Sequence, residues 1–113
     1  MDANHIIELF AAFGPVSVRR LFGGLGIYAD GTMFALASRG LIYLKADGRA
    51  VEAFRREGKG PFTYGAKGGK RTVMSYWALP DRLYDDPDAL ASWAETALMA
   101  ARRAKKPATR RRR

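Results

Sequence analysis

Residues 25–37, LGIYADGTMFALA, are two apolar runs that flank the pair Asp30-Gly31. An Asp-Gly pair between β-rich segments indicates a hairpin, because both central residues of a type I′ turn need positive φ. A third apolar run, residues 41–44 (LIYL), follows Ser38-Arg39-Gly40 with the spacing of the next strand of a meander. Residues 16–21 alternate with period two, as a strand does. The centre of the chain therefore predicts an antiparallel sheet.

Helices are predicted at both ends of this sheet. Residues 4–13 carry Ile6, Phe10 and Phe13 on one helical face, and Gly14-Pro15 ends the pattern. At the other end, Asp86 is placed to cap a helix that begins at Pro87. Its apolar positions recur with helical spacing at Leu90, Trp93, Ala94, Ala97, Leu98 and Ala101.

Between the meander and the last helix, the pattern predicts a short helix and a second hairpin. Asp47 is placed to cap a helix over Arg49–Glu57, and residues 62–64 and 72–77 are strand-like around a Gly- and Lys-rich loop. This order of elements is not the alternation of a parallel doubly wound fold. We therefore expect an α+β two-layer sandwich, in which the N-terminal and C-terminal helices pack on one face of an antiparallel sheet.

The positive charge is concentrated at the C-terminal end. The 113-residue chain has a formal net charge of +9, but residues 1–101 hold 12 Lys and Arg beside all 11 acidic residues, which leaves a net +1. We therefore expect a near-neutral domain over residues 1–101 and a flexible basic tail over residues 102–113. The eight cations of this tail are Arg102, Arg103, Lys105, Lys106, Arg110, Arg111, Arg112 and Arg113.

The tail admits two interpretations. Its charges can neutralise nucleic-acid phosphates of any sequence, but such runs also occur as inert solubilising ends. Membrane attachment is disfavoured, because no apolar face accompanies the charge. The sequence also shows no export signal and no apolar run that could span a membrane, so we expect a cytoplasmic protein.

Catalytic and metal-binding groups are sparse in the sequence. Cysteine is absent and His5 is the single histidine, so a zinc finger or a Cys–His pair cannot be built. The acidic group around Asp85 is explained in part by helix capping. Gly23, Gly24 and Gly26 do not form a phosphate-binding loop, because the chain continues as strand rather than as helix. We expect a glycine bulge or tight connection there, and no catalytic residue, metal or cofactor.

Aromatic residues crowd the strands, and the nearby cations Lys45, Lys67, Lys70 and Arg71 are expected near the strand ends. A platform that stacks bases needs cations on the same exposed face, so we favour packing in the core or in a dimer. Arg19 and Arg20 are adjacent in a strand and should point to opposite faces, with at least one paired with a carboxylate or marking a surface.

Several segments together resemble the N-terminal domain of the TfoX/Sxy regulators of bacterial competence. They cover roughly residues 5–103 and are RRLFGGLGIY (19–28), DGTMFA (30–35), LIYLK (41–45), PFTY (61–64), MSYW (74–77) and LYDDP (83–87). Members of that family act with a cyclic-AMP-responsive activator, and longer members carry a C-terminal helical domain, which we do not find in this sequence.

The resemblance implies a regulatory binding protein whose partner is a transcription factor or a polymerase, with a homodimer as one possible form. It also implies a partner surface at the matching signature residues, which are Arg19, Arg20, Phe22, Gly23, Gly24, Gly26 and Tyr28. The alternative is a small-molecule enzyme or a ligand-binding domain with no recognisable motif. A deep pocket with converging polar groups would distinguish that alternative.

Overall fold

The computed structural model describes residues 1–21, 23–64 and 71–105, with the backbone alone at residues 71–74 and 105. Helix α1 (Ala3–Leu9) precedes four strands, which are β1 (Ser17–Leu21), β2 (Gly24–Ala29), β3 (Thr32–Ser38) and β4 (Leu41–Lys45). The remaining elements are helix α2 (Val51–Arg56), strands β5 (Pro61–Tyr64) and β6 (Arg71–Ala78), a 3₁₀ helix (Asp81–Asp85) and helix α3 (Pro87–Lys105).

The strands form one antiparallel sheet in the order β1-β2-β3-β4-β6-β5. The expected hairpin turn is confirmed, since Asp30 and Gly31 have φ values of 51° and 78°. The next turn has the same form, with Arg39 at 52° and Gly40 at 81°. An arginine rarely adopts this left-handed conformation, which costs about 1–2 kcal/mol for a residue with a Cβ atom.

The core lies between one face of the sheet and the helices. A single buried cluster joins Ile6 and Phe10 of α1 and Phe54 of α2 to strand residues such as Phe34. The apolar stripe of α3 is confirmed, because Leu90, Ala94, Ala97, Leu98 and Ala101 are all buried in this cluster. Trp93 is partly buried, and its ring centroid lies 5.0 Å from that of Phe54. The expected α+β sandwich, with its helices on one face, is therefore confirmed.

Capping of α3 is also as expected. Asp86 precedes the first helical residue, and its Oδ1 accepts a hydrogen bond of 3.2 Å from the Ala89 N–H. Helix α1 is shorter than the pattern predicts, because it gives way after Leu9 to turns in which Phe13 and Gly14 donate to the Phe10 carbonyl. The Phe13 ring still reaches the core, 5.0 Å from Phe34.

Two local predictions need correction. Helix α2 begins at Val51, two residues later than expected, because Asp47 caps the preceding turn by accepting from the N–H groups of Arg49 and Ala50. The 3₁₀ helix was not predicted. Its Leu83 is fully buried, and the hydroxyl of Tyr84 accepts a 2.7 Å hydrogen bond from the Ile42 N–H. Such a contact, 42 residues apart in the chain, leaves no local signal.

Helix α3 includes the first four residues of the expected tail, 102–105. Arg102 pairs with Asp30 of the β2–β3 turn at 3.5 Å, and Arg103 pairs with Asp47. Alanine, arginine and lysine all favour helix, so nothing in residues 101–105 ends it. Arg102 and Arg103 are therefore part of α3, which extends into the expected tail, and the flexibility of residues 102–113 stays a prediction.

Candidate functional site

The sheet has a second face that none of the described helices covers. Strand alternation and register place side chains there whose neighbours in the chain point into the helix-side core. We call it the uncovered face. It carries Arg19, Leu21, Gly26, Tyr28, Met33, Leu36, Leu41, Tyr43, Lys45, Phe62, Tyr64 and Tyr76.

Aromatic rings on the uncovered face pack on one another. The Tyr43 and Phe62 centroids lie 4.9 Å apart in an edge-on arrangement, and Phe62 and Tyr64 stack at 5.9 Å. Two apolar side chains are nearly inaccessible there, since Leu36 and Phe62 are 4% and 3% exposed although both lie outside the helix-side core. The uncovered face therefore has an apolar layer of its own, with partly exposed tyrosines on top.

Two cations lie over tyrosine rings of this face, and they are Lys45, which is the last residue of β4 and so lies at a strand end as expected, and Arg19 in the middle of β1. The Arg19 guanidinium is 5.4 Å from the Tyr28 ring centroid, and the Lys45 amine is 5.2 Å from that of Tyr76. Burial lowers the pKa of Lys45. Burial, with a smaller effect from Tyr28, raises the pKa of Tyr76 to about 12. Tyr76 is therefore a neutral phenol at physiological pH.

The paired arginines of the signature point to opposite faces, as predicted. Arg19 lies on the uncovered face, whereas Arg20 is paired in register with Leu25, which packs on the helix-side core. Both side chains are exposed, and neither forms an ion pair with a described carboxylate. Each therefore marks a surface. Phe22, from the same signature, lies outside the described residues.

Glycine is required for steric reasons at the β1–β2 connection and in the first half of β2, in agreement with the expected tight connection. Gly23 has φ of 77°, which favours glycine. A Cβ atom on Gly24 would lie 2.2 Å from the carbonyl oxygen of Ala37. A Cβ atom on Gly26 would lie 3.1–3.3 Å from atoms of Tyr28, Met33 and Leu21. These glycines allow close approach of backbone and side chains, and that requirement explains them without a nucleotide.

We expect Gly24→Ala to lower the free energy of unfolding by about 1–3 kcal/mol, because the new methyl group clashes with a backbone atom that cannot rotate away. Urea denaturation measures the change. Gly48→Ala is the matched control, since a Cβ atom there has no neighbour within 4 Å and the backbone is not left-handed. The control should be neutral or slightly stabilising. Equal stability of the two variants would show that the β1–β2 connection is not tightly packed.

The cations of the expected tail fall into two groups, those that belong to α3 and those that lie outside the described residues. Arg102 and Arg103 belong to α3, and the hydrogen bond from Arg103 is the main cause that lowers the pKa of Asp47. Lys105 ends the described helix, with only its backbone described. The remaining cations, Lys106 and Arg110 to Arg113, lie outside the described residues.

Within residues 1–21, 23–64 and 71–105, no group of three His, Cys, Asp or Glu side chains could hold a metal. No helix in this part of the chain is long and apolar enough to cross a membrane. One cavity between α2 and α3, of about 190 Å³, is lined by Phe54 and Trp93 together with Ser92 and Thr96. Pockets for drug-sized ligands usually have about 300–1,000 Å³, so this cavity is smaller than such a pocket.

Comparison with known proteins matches most of the chain to one family. The family model described as the TfoX N-terminal domain matches residues 8–101. The chain is 28% identical over 94 residues to Protein Sxy of Escherichia coli K12, which covers 83% of the chain and 44% of Sxy. It is 27% identical over 102 residues to DNA transformation protein TfoX1 of Aliivibrio fischeri, with 87% and 48% covered. The chain thus spans about half the length of these curated relatives.

Proposed function

Because the chain belongs to the TfoX N-terminal domain family, we propose that it is a regulatory binding protein of bacterial transcription or competence. It acts inside the cell by contacting a protein of the transcription machinery, either a cyclic-AMP-responsive activator or RNA polymerase. The name of the similar DNA transformation protein TfoX1 supports this class of function. Catalysis is not part of the proposal.

The observation that carries the proposal is the uncovered face. Aromatic residues and arginine are enriched at the centres of protein–protein interfaces, where large rigid side chains bury much area at low cost in entropy. Here Tyr28, Tyr43 and Tyr64 are partly exposed above nearly inaccessible Leu36 and Phe62. A partner that seats on these rings buries apolar surface without any rearrangement of the layer below.

The charges on this face specify the chemistry of the partner. Among the side chains that the structure describes on this face, the ionisable ones other than tyrosine are Arg19 and Lys45, each placed over a tyrosine ring. A complementary surface has apolar side chains at its centre and carboxylates opposite these two cations. We therefore propose an acidic, apolar patch on the partner as the counterpart of this face.

A substitution on the face tests the proposal. Leu41 is 44% exposed and is paired in register with Ser38, on the same side of β4 as Tyr43. We expect Leu41→Lys to weaken binding to the purified activator or polymerase by about tenfold or more, because a charge replaces apolar contact area. Surface plasmon resonance with each purified partner measures the affinity.

The matched control is Met99→Lys, which places the same charge on an exposed apolar position of α3. Met99 is 54% exposed, so the control should retain both its stability and its affinity. Failure of the native chain to bind either protein would contradict the proposed partners. Binding with equal loss in both variants would contradict the uncovered face as the contact surface, and dimerisation lost in Leu41→Lys alone would assign the face to a second copy of the chain.

A further inference from the structure

A separate cavity lies at the end of the sheet where β1 turns into β2 and β3 turns into β4. Its volume is about 390 Å³, and its lining includes Arg20, Gly24, Ser38 and Arg39. The described C-terminal end of α3 lies at the other end of these strands, where Arg102 meets Asp30. The cavity is therefore distinct from the basic end of α3.

The charge around this cavity is positive and uncompensated among the described residues. Arg20 and Arg39 are both exposed, neither forms an ion pair there, and no acidic residue is part of the described lining. Arg82, by contrast, forms a two-bond contact with Glu57, at 3.2 and 2.7 Å. A second depression lies next to this cavity and shares Gly40 with it. Its described acidic residue is Asp2, whose Oδ1 accepts a hydrogen bond from the backbone N–H of His5.

The backbone of Arg39 gives an independent indication. The first central residue of a type I′ turn is typically Asn, Asp or Gly, because each tolerates positive φ. Arg39 takes this conformation at φ of 52° although its side chain gains no described carboxylate partner. Residues in such sparsely populated backbone conformations cluster at active sites and at positions that hold ligands.

We propose that Arg20 and Arg39 form a binding site for the phosphate group of a small phosphorylated molecule. Guanidinium groups donate paired hydrogen bonds to phosphate oxygens, and two of them match the dianion of a phosphate monoester. The lining also includes Gly23, Gly24 and Gly40, whose lack of side chains keeps the cavity open beside the two arginines. A concave site with two cations suits a single phosphate group, whereas duplex DNA needs a row of cations along its backbone.

The β3–β4 turn allows a variant that removes the charge of Arg39 without disturbing the fold. Arg39→Asn removes the guanidinium and places a residue that favours the turn, so the fold should be at least as stable. Arg20→Gln removes the other charge, and Arg49→Gln is the matched control at an exposed arginine outside the described cavity lining. The probes are inorganic phosphate and adenosine monophosphate, titrated at constant ionic strength against the ¹⁵N-labelled full chain.

We expect saturable shifts of the Ser38, Gly40 and Gly24 amide signals with both probes. Affinity should fall about tenfold or more in Arg39→Asn and in Arg20→Gln, and it should be unchanged in Arg49→Gln. Saturation by phosphate without adenosine monophosphate would still support the site and would identify free phosphate as its ligand. Equal affinity in all variants would overturn the proposal, as would binding of a short DNA duplex at these amides when neither probe binds.

Discussion

The variant Phe34→Ala is expected to lose about 3–5 kcal/mol of unfolding free energy, the usual range for a large aromatic residue truncated in a core. Phe34 is fully buried, and its ring centroid lies 5.5 Å from that of Phe10 and 5.0 Å from that of Phe13. The substitution leaves a cavity between the sheet and α1. The neighbouring rings of Phe10 and Phe13 are held by the surrounding core and cannot move in to fill it. Urea denaturation followed by circular dichroism measures the loss.

The control for this variant is Ile7→Ala, in α1 next to the fully buried Ile6. Ile7 is 42% exposed, so its truncation should change stability by less than about 0.5 kcal/mol. If Phe34→Ala and Ile7→Ala were equally stable, the packing of α1 on the sheet would be contradicted. Phe34→Leu should recover much of the lost stability, because it restores most of the apolar volume.

Elements with a local cause were predictable from the sequence. The Asp30-Gly31 turn needs two positive φ values, and the cap at Asp86 needs a short polar side chain before Pro87. Both signals lie within a few residues of the structure that they specify. The steric role of Gly24 was anticipated in kind, but its cause, the carbonyl oxygen of Ala37, is 13 positions away and becomes visible in the folded chain.

Features that depend on distant contacts were not predictable. The order of strands places β6 beside β4 and leaves β5 at the edge, a choice made by packing rather than by any local pattern. Arg102 and Arg103 have the sequence character of a basic tail, yet their partners Asp30 and Asp47 lie 72 and 56 residues away. Charge runs therefore indicate where cations are, but not which of them are already paired.

The candidate surface shows the same division. Alternation along the strands predicts two faces, and the resemblance singled out Arg19 and Tyr28 of the uncovered one. Tyr43 and Phe62 were noticed as strand aromatics, but their contact at 4.9 Å joins strands that are not neighbours in the sheet. The cavity lined by Arg20 and Arg39 was not predicted, because Arg20 lies in β1 and Arg39 in the β3–β4 turn, and nothing local joins them. The signal available in the sequence was the pair Arg39-Gly40 between two strand-like runs, which indicates a tight turn.

A chain that ends at Lys105 is expected to lose nearly all of the salt dependence of nucleic-acid binding that the full chain shows. Five cations follow that residue, and they are Lys106, Arg110, Arg111, Arg112 and Arg113. If all five contact phosphates of duplex DNA, log K falls against log salt with a slope of about −4.5, from roughly −0.9 for each contact. Fluorescence anisotropy at several salt concentrations measures the slope.

Truncation at Lys105 is more informative than truncation at Ala101, because it leaves the ion pairs of Arg102 and Arg103 with the folded domain. The double variant Arg102→Gln, Arg103→Gln in the full chain is the matched control, and it should keep most of the slope because these arginines already contact Asp30 and Asp47. From 50 to 200 mM salt, the full chain should weaken about 500-fold, the change that this slope gives, whereas the shortened chain should bind little at either concentration. If the shortened chain bound a defined DNA sequence as tightly as the full chain, the folded domain would recognise DNA and the tail would be an inert end.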